Sequence, residues 1–182
     1  MGSLDIQSME SIWTEVCGDY IIGSINSEHC LQASLYHHMR AGECRYKVLV
    51  EPLITISGDQ YYPDLMLVRE GQILAVFELK FVPHGYPVYE SDITKFNVIS
   101  GSGCQDGHKL SILPESGNYD DIGYHFADET KYVFVVIGQH DSNAAYRDVV
   151  TKKLKPELSD RFYLWSGKVG GETGFQYEVQ SS

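Results

Sequence analysis

Two apolar segments that contain charged residues constrain the fold of this chain more than any other feature. They run from Tyr61 to Arg69 and from Ile73 to Phe81, and both have the length and composition of buried β-strands. Asp64 lies in the first segment, whereas Glu78 and Lys80 lie in the second. A charge among apolar side chains is costly unless an opposite charge or a metal ion compensates it. The sequence therefore predicts a compensated cluster of charges on a central sheet.

The turn between these segments determines which of their side chains meet. A turn of three residues over 70–72 would bring Asp64 directly opposite Glu78. Opposed side chains on antiparallel strands have Cβ atoms roughly 4.5–5.5 Å apart. Lys80 projects from the same face as Glu78, because side chains two apart on a strand share a face. A turn of two residues would shift the register by one residue, and Asp64 would then lie diagonally across from Glu78 instead of directly opposite it.

Two neighbouring carboxylates repel each other, and this repulsion predicts a cation. At an effective dielectric constant of 20, unit charges about 4 Å apart interact by about 4 kcal/mol. Mg²⁺ or Mn²⁺ would turn the repulsion into attraction, because hard cations prefer oxygen ligands. Without a metal, Lys80 would neutralise one carboxylate and the other would tend to be protonated. A simpler alternative is that Asp64 begins a strand beside a turn, while Glu78 and Lys80 form a surface pair.

The arrangement of Pro63-Asp64, a hairpin and then Glu78-Leu79-Lys80 resembles the motif of the PD-(D/E)xK nuclease superfamily. The resemblance implies a restriction-endonuclease-like core, which is a three-layer α/β/α sandwich with a mixed central β-sheet. It also implies that Asp64 and Glu78 bind Mg²⁺ or Mn²⁺, often with the backbone carbonyl of Leu79 as a third ligand. Lys80 would be the catalytic lysine of a phosphodiesterase.

Two further side chains become candidates through the same resemblance, which covers roughly residues 26–100. Many members carry a glutamate on the first helix that faces the site, and Glu28 falls at that place. Residues on the helix after the second segment often line the site, which makes Lys95 a second-tier candidate. Each has a simpler explanation. Glu28 would complement its helix N-terminus, and Lys95 would be solvated on an exposed helix edge that it shares with Asp92.

Composition predicts one domain over residues 1–182, and the resemblance implies that this domain is nuclease-like. The chain has 182 residues, of which 43% are hydrophobic and 21% are charged, which is sufficient for a sizeable core. It contains no apolar run of about 18 residues, its start is polar, and its four cysteines are widely spaced. We therefore expect no membrane span, no signal peptide and reduced thiols in a cytoplasmic protein.

The net charge of −11 argues against generic, tight binding to nucleic acid, because phosphate contacts supply most of that affinity. A nuclease with this charge needs a local basic surface. The candidates for phosphate contacts are Arg147, Lys152, Lys153 and Lys155, with Arg161 nearby. Alternatively, the lysines complement the dipole of a helix predicted over 142–155, which Pro156 terminates.

The rest of the pattern predicts alternating helices and strands. Ser27 is the predicted N-cap of a helix through Met39, and Ser91 that of a helix to about Ser100. A long connection is expected over 101–130. Further strands are predicted at Lys47–Ile56, Lys131–Ile137, Arg161–Trp165 and Gly174–Val179, the last two as a terminal hairpin.

Two functional hypotheses follow. The first is a metal-dependent endonuclease, a hydrolase whose substrate is nucleic acid. DNA is favoured over RNA as that substrate. A homodimer is a further expectation, because nucleases that cut both strands are often two-fold symmetric. The second is a catalytically weak or inactive nuclease-fold module that binds a protein or nucleic-acid partner in a regulatory role. The acidity of the chain favours the module. The intact Asp64, Glu78 and Lys80 favour the enzyme, because an idle copy has no physical reason to keep a costly charged cluster.

Overall fold

The architecture follows from a computed structural model that describes residues 6–41, 46–85, 88–101, 108–112, 120–138, 150–169 and 174–181. The helices in these ranges are α1 (Ile6–Ile21), α2 (Glu28–Ala41) and α3 (Glu90–Gly101), and a 3₁₀ helix spans Pro156–Arg161. The strands are β1 (Lys47–Val50), β2 (Leu53–Ile56), β3 (Asp59–Tyr61), β4 (Leu65–Arg69), β5 (Gln72–Val82), β6 (His108–Ile112), β7 (Asp120–Gly138), β8 (Phe162–Lys168) and β9 (Gln176–Ser181).

A mixed sheet runs through the described part of the chain in the order β1-β4-β5-β7-β8-β9. Strands β5, β7 and β8 are parallel to one another, and the other neighbours are antiparallel. Parallel neighbours need a crossover connection, and α3 lies in the one between β5 and β7. The first part of β7 also belongs to a smaller antiparallel sheet with β6, β2 and β3.

Helices cover both faces of the mixed sheet, so the fold is the predicted three-layer α/β/α sandwich. One face packs against α1 and α2, and the other packs against α3. The strands are apolar on both sides because side chains alternate between these two layers. Buried residues of the first layer include Trp13, Leu31, Leu35, Phe77, Leu79 and Trp165, and those of the second include Val76, Ile93, Phe96 and Phe134.

The helices that flank the predicted site begin and pack largely as the sequence indicates. Ser27 Oγ accepts a hydrogen bond from the N–H of Cys30 at 3.2 Å, which is the expected N-cap geometry. Helix α3 begins at Glu90, so Ser91 is not its cap. The predicted inward residues are buried on both helices: Leu31, Leu35 and Met39 on α2, and Ile93, Phe96 and Ile99 on α3. None of the described helices is long and apolar enough to cross a lipid bilayer.

Several predicted elements need correction. The strand predicted over Lys47–Ile56 is two strands in different sheets, because Glu51 adopts a left-handed φ of 46° and Pro52 has no N–H to donate. The connection expected over 101–130 contains β6 and the first part of β7. The helix predicted over 142–155 lies largely outside the described residues, and its described part is helical only as far as Thr151. The terminal hairpin is confirmed by the antiparallel pairing of β8 with β9.

Asp19 links α1 to α2, the helix that carries Glu28. Its Oδ2 accepts a hydrogen bond from Ser34 Oγ at 2.6 Å and lies 3.0 Å from His38 Nε2. The Ser34 hydroxyl, together with His38, holds the pKa of Asp19 below its ordinary value. The ionised form of Asp19 therefore stabilises the contact between the two helices.

Replacing Asp19 tests this contact. Asp19→Ala should lower the free energy of unfolding by about 1 kcal/mol at neutral pH, because Ser34 and His38 lose their common acceptor. Since the folded-state pKa is below the unfolded one, this contribution is complete above the unfolded pKa of roughly 3.9. It is lost as the pH falls through the folded pKa. Urea unfolding of native protein and Asp19→Ala at neutral and acid pH measures this contribution. If the difference in their free energies of unfolding does not change with pH, the charge of Asp19 does not have this role.

Candidate active site

The hairpin between β4 and β5 turns more tightly than the sequence predicts. Arg69 pairs with Gln72, which leaves a turn of two residues. These are Glu70 and Gly71, with left-handed φ values of 52° and 77°. Positive φ at both central positions is the backbone of a hairpin turn that matches the twist of the strands. Taken alone, this turn would shift the predicted register by one residue.

A β-bulge offsets the shorter turn. The pairing shifts between Leu67 and Val68, which leaves Leu74 as an extra residue on β5. Beyond the bulge Leu65 pairs with Phe77, which is the register predicted from a three-residue turn. The predicted approach of the two acidic residues is therefore reached by a different backbone route.

Asp64 precedes β4 and lies at the edge of β5 that β4 leaves uncovered. Its N–H donates to the carbonyl of Phe77 at 3.1 Å, and its Oδ2 accepts the N–H of Leu79 at 2.6 Å. Glu28 Oε2 accepts the next N–H on this edge, from Phe81, at 3.3 Å. Two carboxylates therefore cap the edge of β5. Because the N–H and C=O of a strand residue point to the same edge, the carbonyl of Leu79 also lies on this side.

An acidic cleft opens beside this edge. Gln32 Nε2 and the N–H of Glu51 both donate to the carbonyl of Asp64, at 3.0 and 3.1 Å. Sequence reasoning missed both residues. The signal for Gln32 is its position four residues after Glu28, on the same face of α2. The cleft is lined by Glu28, His29, Gln32, Glu51, Asp64 and Leu79.

Glu78 projects toward α3 from the middle of the sheet. Its side chain is 1% exposed, and its Oε2 accepts a hydrogen bond from Lys95 Nζ at 2.6 Å. Its Oε1 is buried and has no hydrogen-bond partner within the described ranges. Lys95 also donates to the carbonyl of Tyr62 at 3.0 Å, and so connects α3 to the segment before β4. Lys95, a second-tier candidate, thus contacts the site directly.

Lys80 shares the face of Glu78 and pairs with Asp92 on α3. Lys80 Nζ lies 3.2 Å from Asp92 Oδ2. The two groups form an ion pair, but their geometry is not that of a hydrogen bond. Asp92 was expected on an exposed edge, but its side chain is only 6% exposed. The reason is helical spacing: Asp92 precedes Phe96 by four residues and therefore belongs to the buried stripe of α3. This spacing was the signal that could have identified Asp92.

Burial and repulsion disfavour the ionised form of both acidic motif residues. Burial raises the pKa of Glu78 well above its ordinary value, and the nearby carboxylate of Asp64 adds to this shift. Burial also raises the pKa of Asp64, although the N–H of Leu79 opposes the shift. For Lys80, burial acts to lower the pKa, but the charges of Asp92 and Glu28 outweigh burial and raise it. Lys80 is therefore held in its protonated form.

The charges of this region do not cancel. Four carboxylates interact with two lysines, and with every group ionised the cluster carries a net charge of −2. One divalent cation carries the charge that would neutralise it. The members are Glu28, Asp64, Glu78 and Asp92 on one side and Lys80 and Lys95 on the other.

The donor set fits a hard cation in its chemistry but not in its present spacing. Carboxylate oxygens and the Leu79 carbonyl are of the type that Mg²⁺ and Mn²⁺ prefer. The unpartnered, buried Oε1 of Glu78 is an available donor. No three His, Cys, Asp or Glu side chains of the described ranges are grouped so that they could hold a metal ion. Metal binding would therefore require the Glu78 carboxylate to separate from Lys95, or the Asp64 carboxylate to separate from the N–H of Leu79.

One of the predicted phosphate contacts already has an acidic partner. Lys153 Nζ pairs with Glu90 Oε1 on α3 at 2.8 Å. Lys152 and Lys155 are exposed and stay candidates, whereas Arg147 lies outside the described residues.

Comparisons of this chain with protein-family models, curated proteins and solved structures found no match. The functional interpretation therefore depends on the residues and geometry of the site itself.

The burial of Glu78 predicts that its charge destabilises the protein when no cation is added. Glu78→Gln should raise the melting temperature at mildly alkaline pH by a few degrees, since about 1 kcal/mol shifts it by roughly 2–4 °C in a chain of this size. The variant removes a buried charge but keeps an acceptor for Lys95. Because the folded-state pKa of Glu78 is raised, the penalty grows as the pH rises above the unfolded value of roughly 4.3.

Calorimetric melting of both proteins from acid to alkaline pH measures this penalty. The matched control is Glu90→Gln, which neutralises an exposed carboxylate on α3 and should change the melting temperature little. A Glu78→Gln protein that melts below the native protein at every pH would show that the ion pair with Lys95 outweighs the cost of burial.

Proposed function

We propose that this protein is a metal-dependent nuclease that hydrolyses phosphodiester bonds of nucleic acid, with DNA as the first substrate to test. The observation that carries the proposal is the convergence of Asp64, Glu78 and Lys80 on one end of β5, with Glu28 beside them. A helix, three neighbouring antiparallel strands and a second helix surround this end and support the PD-(D/E)xK resemblance, although two strands of the smaller sheet intervene in the sequence. Here these elements are α2, β1-β4-β5 and α3.

Each residue of the site has a distinct role in the proposed reaction. Asp64 and Glu78, together with the carbonyl of Leu79, would hold Mg²⁺ or Mn²⁺. When bound, such an ion supplies a Lewis acid at the phosphate and lowers the pKa of a bound water. Lys80, which Asp92 keeps protonated, presents a positive charge to the phosphate as negative charge develops in the transition state. A protonated Lys80 acts as an electrostatic stabiliser rather than as a general base.

The cellular setting is part of the same proposal. Cys17 and Cys30 are free thiols, which suits a reducing compartment, and we place the protein in the cytoplasm. A homodimer would present two such sites to the two strands of a duplex.

A second candidate function is the catalytically weak or inactive module that binds a protein or nucleic-acid partner. It is favoured by the ion pairs of the site, since Lys95 and Lys80 already partner Glu78 and Asp92 without a metal. The pairing of Lys153 with Glu90 also reduces the positive charge available to a phosphate backbone.

Removing the buried carboxylate tests the enzyme. Glu78→Ala should reduce Mg²⁺-dependent cleavage of DNA at least about 100-fold, because the cation would lose a ligand in a water-poor site. Initial rates on labelled single-stranded and double-stranded DNA measure the loss. Glu15→Ala, which truncates an exposed carboxylate on α1, should keep the native rate. A Glu78→Ala protein as active as the native one would refute the proposed mechanism.

Metal titration separates the two candidate functions. Native protein should bind Mn²⁺ with saturable heat in isothermal titration calorimetry, and Asp64→Ala should bind at least about tenfold more weakly, because it lacks a carboxylate ligand. Circular dichroism of the variant controls for folding. A native protein that produces no binding heat would favour the partner-binding module.

A further inference from the structure

Lys95 is a charged group at the site that the proposed mechanism does not use. Its Nζ lies 2.6 Å from Glu78 Oε2 and 3.0 Å from the carbonyl of Tyr62. The two partners differ in their access to water, because the side chain of Lys95 is 20% exposed and that of Glu78 only 1%. Lys95 can therefore move toward solvent, whereas Glu78 stays buried.

The other described charges of the cluster do not replace Lys95. Lys80 is occupied by Asp92 at 3.2 Å, and Asp64 adds repulsion to the Glu78 carboxylate. One oxygen of Glu78 is bonded to Lys95, and the other has no hydrogen-bond partner in the described part of the chain. Compensation of Glu78 therefore depends on Lys95 and is incomplete.

We propose that Lys95 compensates Glu78 when no cation is bound, withdraws from it when a divalent cation binds, and so sets the metal affinity of the site. The inference rests on the proposed function, because it concerns the same carboxylate. Withdrawal leaves no buried, unpaired charge, since the ammonium group keeps the Tyr62 carbonyl and gains water.

The charge of the cluster gives the direction of the effect. With every group ionised, removing Lys95 would change the net charge of the cluster from −2 to −3, and a more negative site attracts a cation more strongly. A purely structural role of Lys95 predicts the opposite, because a disordered site binds metal more weakly.

The experiment compares the Mn²⁺ affinity of native protein with that of three variants by isothermal titration calorimetry at constant ionic strength. Lys95→Met should bind Mn²⁺ about tenfold more tightly or better. Lys95→Arg keeps the charge and should bind with native affinity. Lys153→Met is the matched control, because it removes a lysine from an exposed ion pair with Glu90 and should bind as the native protein does.

A measurement on native protein keeps the proposal testable if Lys95→Met does not fold. Labelling with an amine-reactive reagent, read by mass spectrometry, should modify Lys95 faster when Mn²⁺ is present. Labelling of Lys153 should not change. Equal labelling of Lys95 with and without Mn²⁺, in a protein that binds the ion, would overturn the proposed withdrawal of Lys95 from Glu78.

The outcomes separate this inference from the proposed function. Tighter binding by Lys95→Met supports the inference, and equal or weaker binding overturns it while leaving the nuclease proposal in place. Binding by Lys95→Met alone supports the inference but counts against native enzyme activity. If neither protein binds Mn²⁺, both proposals fail. Native protein that binds Mn²⁺ but cleaves no nucleic acid refutes the nuclease alone.

Discussion

The burial of the Glu78 carboxylate is the constraint on which the arrangement of the site depends. A charge that is 1% exposed in the middle of a sheet needs compensation, and the surrounding elements supply it from one side only. Helix α3 brings Lys95 to one oxygen, and the second oxygen is left without a hydrogen-bond partner in the described ranges. Nearby Asp64 makes the cost larger. An arrangement selected for stability alone would place an apolar side chain at this position, and this contrast favours a functional reason for the charge.

The second organising feature is the early end of β4. Because β4 begins at Leu65, the N–H groups of Leu79 and Phe81 have no strand partner on that edge, and unpaired backbone groups are costly when buried. The carboxylates of Asp64 and Glu28 accept these hydrogen bonds instead. The same interactions that complete the sheet therefore gather acidic groups at its edge. This dual role explains why the acidic groups meet at the edge of β5 where β4 ends.

Local pattern was sufficient to predict much of the fold. The N-cap at Ser27 and the buried stripes of α2 and α3 depend on short-range spacing. The sandwich of helices around a mixed sheet was expected from the resemblance of the motif. The failures have non-local causes. The strand predicted over Lys47–Ile56 divides because its halves pair with different partners, β4 and β6, which are far apart in sequence. The two-residue turn at Gly71 and the bulge at Leu74 each shift the register of β4 against β5 by one residue, and the two shifts offset each other. Neither is encoded by hydrophobic periodicity alone.

By itself, the sequence determined that Glu78 and Lys80 share one face of β5, because side chains on a strand alternate with a period of two. It also placed Asp64 within reach of that strand, because a hairpin brings neighbouring segments together. Only the tertiary structure decided which groups partner these charges. Asp92 and Lys95 reach them because the packing of α3 on the sheet sets the rotation of the helix about its axis. The buried stripe of α3 indicates this rotation, but the strand residue that each helix charge meets depends on contacts with distant strands, which no local pattern of residues specifies.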